Sequence, residues 1–132
     1  MVAPEVNMHR SRLCSVVIDC KADDLEAAAR FWSAALGRRV LPPDPDAGPY
    51  RELETELDEL ILLVQKVEHP SRVHLDIETD DVEAEIGRLE ALGARRVTQV
   101  RDWWVLEAPT GHRFCVVPVK RAGFAAGANR WE

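Results

Sequence analysis

The 132-residue sequence contains no long apolar run and few aromatic residues, which make up 6% of the chain. No stretch approaches the ~20 apolar residues that span a bilayer, and the opening MVAPEVNMHRSR lacks the apolar block of a secretion signal. We therefore expect a cytoplasmic protein without membrane contact. Basic residues number 17 against 23 acidic ones, a net charge of −6, so we expect no nucleic-acid partner.

Cysteine is scarce as well, with Cys14, Cys20 and Cys115 and no CxxC motif. Cys14 and Cys20 are predicted to lie on one strand with Cα atoms ~20 Å apart, which is too far for a disulfide. Reduced thiols are therefore expected. The sequence also lacks a Walker loop, GxGxxG, GxSxG and HExxH, which argues against nucleotide hydrolysis, dinucleotide cofactors, serine-hydrolase chemistry and common zinc proteases.

An internal repeat is the most informative feature that the sequence does contain. The stretch VVIDCKADDLEAAARFWSAALGRRV is repeated as VHLDIETDDVEAEIGRLEALGARRV. Residues 24–27 match residues 81–84, and residues 38–40 match residues 95–97, both at an offset of 57 (81 − 24; 95 − 38). Two copies are too few for a repeat array, so the pattern indicates duplication within one domain.

Each copy begins with a predicted strand and continues into a predicted amphipathic helix. The apolar strand faces, each expected to pack on a helix, carry Val16, Ile18 and Cys20 in the first copy and Val73, Leu75 and Ile77 in the second. Asp23 and Asp80 are predicted as N-caps, each three residues before a glutamate, and Gly37 and Gly93 fit left-handed helix ends. The first helical stripe contains Leu25, Ala28, Ala29, Trp32 and Leu36.

Three further strands are predicted in each copy, near 38–41, 50–57 and 60–67 and near 95–99, 102–107 and 113–119. The predicted fold is therefore α+β, built from two βαβββ modules. The predicted boundaries are an N-terminal tail 1–12, a domain 13–119 with modules at about 13–68 and 72–119, and a C-terminal tail 120–132. Whether the second tail docks on the domain through Phe124 and Trp131 is left open.

The order of these segments resembles the vicinal oxygen chelate superfamily, which includes glyoxalase I, bleomycin-resistance proteins and extradiol dioxygenases. The resemblance rests on VVIDCKADDLEAAARFWSAALG, VHLDIETDDVEAEIGRLEALGA and WVLEAPTGHRFCVV, and the wording is most similar to the glyoxalase-like domain subgroup. It implies modules related by a pseudo-twofold axis, a cup-shaped mixed sheet with outer helices, and ligand bound inside the cup. Members commonly pair, so the resemblance also implies a homodimer.

Metal-using members of the superfamily hold an ion with side chains from the first, fifth and last strands, and sometimes the fourth. The resemblance places Ser15, His74 and Cys115 at the first three positions and Gln65 or Leu63 near the fourth. Only His74 keeps the usual residue type, and a neutral serine is a poor metal ligand. We therefore expect no cofactor, with a divalent metal anchored by His74 as the alternative.

His74 is the candidate catalytic residue, because a neutral imidazole can act as a metal ligand, a general base or a hydrogen-bond donor. The alternative is that His74 is a structural histidine, paired with neighbouring side chains. Asp19 and Glu78 occupy matching repeat positions and could form a two-carboxylate site, but solvation at the strand ends is the favoured expectation for both. Trp103 and Trp104 are adjacent in a strand, so one ring is expected to face the helices and the other the ligand. The predicted ligand-binding residues are Ser15, Asp19, Tyr50, Arg51, Gln65, Asp76, Trp103, Trp104 and Cys115.

Three functions are compatible with these residues. The leading hypothesis is a domain that binds a small organic molecule. The second is a lyase, isomerase or dioxygenase whose divalent metal is anchored by His74. The third is a metal-free enzyme that uses His74 as a general base, assisted by Cys115 or a carboxylate.

Overall fold

The computed structural model describes residues 8–132, which form a mixed α+β fold and confirm the predicted fold class. The described chain contains eight strands and three helices: β1 (His9–Lys21), α1 (Leu25–Leu36), β2 (Tyr50–Leu53), β3 (Ile61–Val67), β4 (Arg72–Thr79), α2 (Val82–Ala91), β5 (Arg95–Val100), β6 (Trp103–Glu107), β7 (Arg113–Pro118), α3 (Phe124–Gly127) and β8 (Asn129–Trp131). No helix in this part of the chain is both long enough and apolar enough to cross a membrane.

The chain divides into two compact units. We call Ser15–His74 the first unit, and the residues up to Cys14 together with Leu75–Glu132 the second unit. In the first unit, β3 pairs in parallel with β1 and antiparallel with β2. The strand expected near 38–41 is only a single bridge between Val40 and Leu53, so this module lacks one predicted strand.

Helix α1 covers one face of the sheet in the first unit. The buried residues beneath it are Ile18, Cys20, Leu53 and Val64, and its own Leu25, Ala28 and Trp32 pack against them. Leu36 was predicted to complete the apolar stripe, but it is 45% exposed at the last position of the helix. The alternation of β1 therefore predicts correctly that Ile18 and Cys20 face the helix. Leu36, at the end of α1, does not belong to that core.

The helix caps lie one residue later than the sequence suggested. Asp24 caps α1, since its carboxylate accepts hydrogen bonds from the backbone N–H groups of Glu26 and Ala27 at 3.0 and 3.2 Å. Asp81 caps α2 by accepting from the N–H of Ala84 at 3.0 Å, whereas Asp80 accepts from the N–H of Arg10. Both predicted caps, Asp23 and Asp80, are therefore wrong, although the true caps keep the repeat offset of 57.

The second unit contains the second βαβββ module from Leu75 of β4 onward. Strand β4 pairs in parallel with β7, which pairs antiparallel with β6, and β6 pairs antiparallel with β5. Helix α2 packs through Ile86 and Leu89 on Leu106 and Val116. Ile77 joins this cluster as predicted. Val73 and Leu75 were predicted on the same apolar face, but they are 56% and 45% exposed and belong neither to this cluster nor to the one beneath α1.

Both chain ends differ from the predicted tails. Strand β1 begins at His9, so residues 9–12 belong to the sheet. Near the C-terminus, β8 pairs antiparallel with residues 9–11 of β1, and the indole N–H of Trp131 donates to Ser11 Oγ at 2.8 Å. The C-terminal segment is thus docked within the second unit. This answers the question of docking that the sequence analysis left open.

Glu78 anchors this C-terminal segment. Its side chain is completely buried, and it accepts hydrogen bonds from the backbone N–H groups of Lys120 and Arg121 at 2.7 and 2.9 Å and from Nε of Arg12 at 2.6 Å. Burial by itself raises the pKa of Glu78, but these donors outweigh burial and hold the pKa below its usual value. The expectation of a solvated strand-end carboxylate is therefore wrong here.

Candidate functional site

A row of polar residues crosses the face of the first unit that lies opposite α1. Strand register aligns Asp19 of β1 with Gln65 of β3, and Gln65 in turn with Tyr50 of β2. Paired residues project to the same side of a sheet, so these three side chains share one face. Two residues earlier on β1 and β3, Val17 pairs with Leu63, which supplies apolar surface next to the polar row. Ser15 lies further along β1 on the same side.

His74 reaches Asp19 from β4. Its Nδ1 lies 2.6 Å from Oδ2 of Asp19, and Nε of Arg72 lies 3.8 Å from the same oxygen. The Asp19 side chain is only 2% exposed, and that of His74 12%. A charged carboxylate only accepts hydrogen bonds, so a hydrogen bond to Asp19 requires the ring proton on Nδ1.

The second oxygen of Asp19 is buried without a hydrogen-bond partner among residues 8–132. Leaving a buried acceptor unsatisfied costs roughly 1–3 kcal/mol, and more for a charged group. The first unit therefore carries a buried carboxylate that is only partly satisfied, beside a histidine and an arginine. This arrangement is suited to receiving a hydrogen-bond donor from a bound molecule.

Arg51 does not belong to this polar face. It pairs in register with the core residue Val64, donates to the carbonyl of Leu41 at 2.8 Å and forms an ion pair with Glu26 of α1. The structure therefore places Arg51 on the helix-facing side, where partners within the protein hold it. Cys20 lies on that side too, and burial, with a smaller effect of the Asp19 charge, raises the pKa of its thiol. Cys20 is thus a packing residue, as expected.

The other predicted ligand-binding residues lie on the sheet of the second unit, and their side chains are divided between its two faces. Asp76 of β4 pairs in register with Cys115 of β7, and Cys115 pairs with Val105 of β6. By strand alternation Trp103 shares the side of Val105. Trp104 instead pairs with Val116 and packs in the α2 core, with the guanidinium of Arg96 5.0 Å from its ring centroid. Trp104 is therefore the ring that faces the helix.

Sequence reasoning missed Arg72. The signal was available, because Arg72 lies two residues before His74 and alternation along β4 puts both side chains on one face. Its side chain is 47% exposed, so it offers a positive charge at the accessible end of the Asp19–His74 pair.

Comparison with known families identifies the chain. Residues 15–117 match the family model described as glyoxalase-like domain. The chain therefore belongs to the glyoxalase-like domain family, and the resemblance seen in the sequence to this family is confirmed. No protein with a curated description matches the sequence.

Solved structures of other proteins share the fold of this chain. The chain is 17% identical to a glyoxalase/bleomycin resistance protein/dioxygenase superfamily member from Vibrio splendidus 12B01, with 83% of this chain and 99% of that one covered and a TM-score of 0.54. It is 17% identical to methylmalonyl-CoA epimerase from Mycobacterium tuberculosis, covering 86% and 91% with a TM-score of 0.58. It is 18% identical to homoprotocatechuate 2,3-dioxygenase from Brevibacterium fuscum, covering 85% of this chain and 39% of that one with a TM-score of 0.57. At these identities the likeness shows the fold.

Proposed function

We propose that this glyoxalase-like domain binds a small organic molecule on the polar face of the first unit, at the Asp19–His74 pair. The observation that supports this most is the 2.6 Å contact between Nδ1 of His74 and Oδ2 of Asp19, with the other carboxylate oxygen buried and unsatisfied among residues 8–132. A hydrogen-bond donor on the ligand would satisfy that oxygen. The ring of His74 would meet the ligand through Nε2, since Nδ1 is engaged by Asp19.

The surroundings of the pair match a small-molecule site. Such sites combine apolar walls with a few well-placed polar groups. Leu63 supplies apolar surface, whereas Gln65 and Tyr50 continue the polar row that Asp19 begins. The ligand class that fits is an organic molecule with an apolar body and at least one hydroxyl or amine donor.

The proposed binding of an organic molecule does not depend on a resident metal. Ser15, His74 and Cys115 occupy the positions that the resemblance equates with the superfamily's metal ligands. Ser15 is neutral and 1% exposed, and hard divalent ions prefer carboxylate oxygens. These residues do not fit the usual His, His and Glu ligand set, so we assign no chemical step to a metal.

A divalent-metal-dependent lyase, isomerase or dioxygenase anchored at His74 is the second candidate. One observation favours it: a histidine whose other ring nitrogen is held by a carboxylate, as Asp19 holds Nδ1, is the arrangement typical of metal-ligating histidines. Elemental analysis of protein purified without chelators separates the two candidates. Stoichiometric Mn, Fe, Ni or Zn that is lost in His74→Ala favours the enzyme, and metal-free protein that still binds a ligand favours the binder.

A thermal-shift screen of small organic compounds, followed by calorimetry on the hits, tests the proposal. We expect Asp19→Asn and His74→Ala each to weaken binding of a hit by about tenfold or more, because each removes one partner of a charge-assisted contact. Lys66→Gln is the matched control, since Lys66 follows Gln65 on β3 and projects to the opposite face. Hits that bind both site variants as tightly as the wild type would exclude this face as the binding site.

A further inference from the structure

A cavity lies in the second unit, where β1 and β8 pair. It has a volume of about 140 Å³, and it is lined by Met8, His9, Arg10, Asp80, Arg130 and Trp131. At about 30 Å³ per water molecule, this is room for about five waters or one small organic ion. None of these residues belongs to the polar face of the first unit.

Two arginines stand directly opposite each other at this cavity. Arg10 of β1 and Arg130 of β8 are register partners in the antiparallel pair, so their side chains project to the same side. Like charges directly opposite each other destabilise a strand pair. Within residues 8–132 neither guanidinium forms an ion pair, so no acidic side chain of this part of the chain relieves the repulsion.

This lack of partners is unusual for the chain. Most arginines in the described part are paired with acidic residues, such as Arg88 with Glu85 and Arg113 with Glu107, in a protein whose net charge is −6. Within residues 8–132 no acidic side chain pairs with these two facing arginines, so positive charge is concentrated at one place. A bound anion would supply the counter-charge there.

Asp80 is the one acidic residue in the lining, and it does not neutralise the two arginines. Its Oδ1 accepts the backbone N–H of Arg10 at 2.8 Å, which fixes its carboxylate on the main chain. The imidazole of His9 contacts Glu85, with 2.8 Å between Nε2 and Oε1. The side chains of Arg10, Arg130 and Asp80 together carry a net charge of +1, which a monoanion balances.

We propose that this cavity is a binding site for a small oxyanion, an organic carboxylate or a phosphate, held between the guanidinium groups of Arg10 and Arg130. Guanidinium groups present planar pairs of N–H donors that match the oxygens of carboxylate and phosphate. Binding would replace the repulsion between the facing arginines by two charge-assisted contacts. The site is independent of the proposed function, since it uses different residues on a different unit.

Titration with sodium acetate and, separately, sodium phosphate tests the proposal at constant ionic strength with chloride as the background ion. The readout is the NMR signal of the arginine Nε–Hε groups. We expect saturable shifts at Arg10 and Arg130, and affinity lowered about tenfold or more in Arg10→Gln and in Arg130→Gln, because each removes one charged donor. Tighter binding of acetate would identify a carboxylate site, and tighter binding of phosphate a phosphate site.

Two further variants make the test specific. Asp80→Asn keeps an oxygen acceptor for the N–H of Arg10 while removing a negative charge, so it should bind the anion several-fold more tightly. Arg30→Gln removes an exposed arginine from α1 and should leave affinity unchanged. Non-saturating shifts, or an equal loss of affinity in Arg30→Gln, would overturn the proposal and indicate general attraction of anions to surface charge.

Discussion

Glu85 is the centre of a buried charged cluster on α2, and its removal should destabilise the second unit strongly. Its side chain is completely buried, with Oε1 2.8 Å from Nε2 of His9 and 2.8 Å from Nε of Arg88. Oε2 accepts a second hydrogen bond from Arg88 at 2.8 Å. Glu85→Ala deletes the acceptor that both side chains share.

The expected cost follows from this geometry. Breaking a buried ion pair by removing one partner costs about 3–5 kcal/mol, out of the roughly 5–15 kcal/mol that keeps a domain folded. For a domain of this size 1 kcal/mol lowers the Tm by about 3–5 °C, so Glu85→Ala should lower it by about 10–20 °C at pH 7. Glu83→Ala is the matched control, because Glu83 lies on the same helix with 67% of its side chain exposed, and we expect only a small change.

The pH dependence gives an independent check. Burial raises the pKa of Glu85, but the hydrogen bonds from Arg88, His9 and Ser11 outweigh burial and lower it below its usual value. A lowered carboxyl pKa stabilises the fold above the unfolded pKa, about 4.5, and this stabilisation is lost as the pH falls through the folded value. The Tm gap between wild type and Glu85→Ala, followed by circular dichroism, should therefore narrow below pH 4. A gap under 2 °C at pH 7, or one unchanged down to pH 3, would refute the reasoning.

Three other outcomes are expected. His74→Ala should weaken ligand binding and cost about 1–3 kcal/mol of stability, because it leaves Oδ2 of the buried Asp19 carboxylate without its 2.6 Å partner. Trp32→Ala should cost about 3 kcal/mol in urea unfolding and leave the affinity of the folded protein intact. Unchanged affinity in His74→Ala would make His74 a structural residue. Asp24→Ala should cost about 1 kcal/mol by removing the N-cap of α1, and a loss below 0.3 kcal/mol would contradict the cap. Light scattering should give twice the mass of the 14.8 kDa chain if the predicted homodimer forms, and the monomer mass at every concentration would exclude it.

The helices were predictable because their signals are local. Alternation and helical spacing identified α1 and α2, and the repeat fixed their relation along the chain. The caps were misplaced by one residue because Asp23 and Asp24 are adjacent, as are Asp80 and Asp81, and only the backbone decides which carboxylate meets the first-turn N–H groups. Side-chain chemistry alone does not distinguish two neighbouring aspartates.

The candidate site was predictable only in part because strand register is a non-local property. The alternation of residues along β1 and β4 predicts which face of each strand is polar, and it therefore identified Asp19 and His74 as candidate site residues. Their 2.6 Å contact depends on pairing between distant segments. Arg51 was included because it follows a proline-rich loop, but its face is set by the register of β2 on β3, which aligns it with Val64.

The docking of the C-terminal segment on Glu78 changes where this domain should be considered to end. The family match stops at residue 117, before the backbone N–H groups of Lys120 and Arg121 that Glu78 requires. A polypeptide trimmed to residues 15–117 would also lose Arg12 and leave a buried carboxylate without these three donors. Boundaries taken from the family match would therefore remove all three of these donors to Glu78.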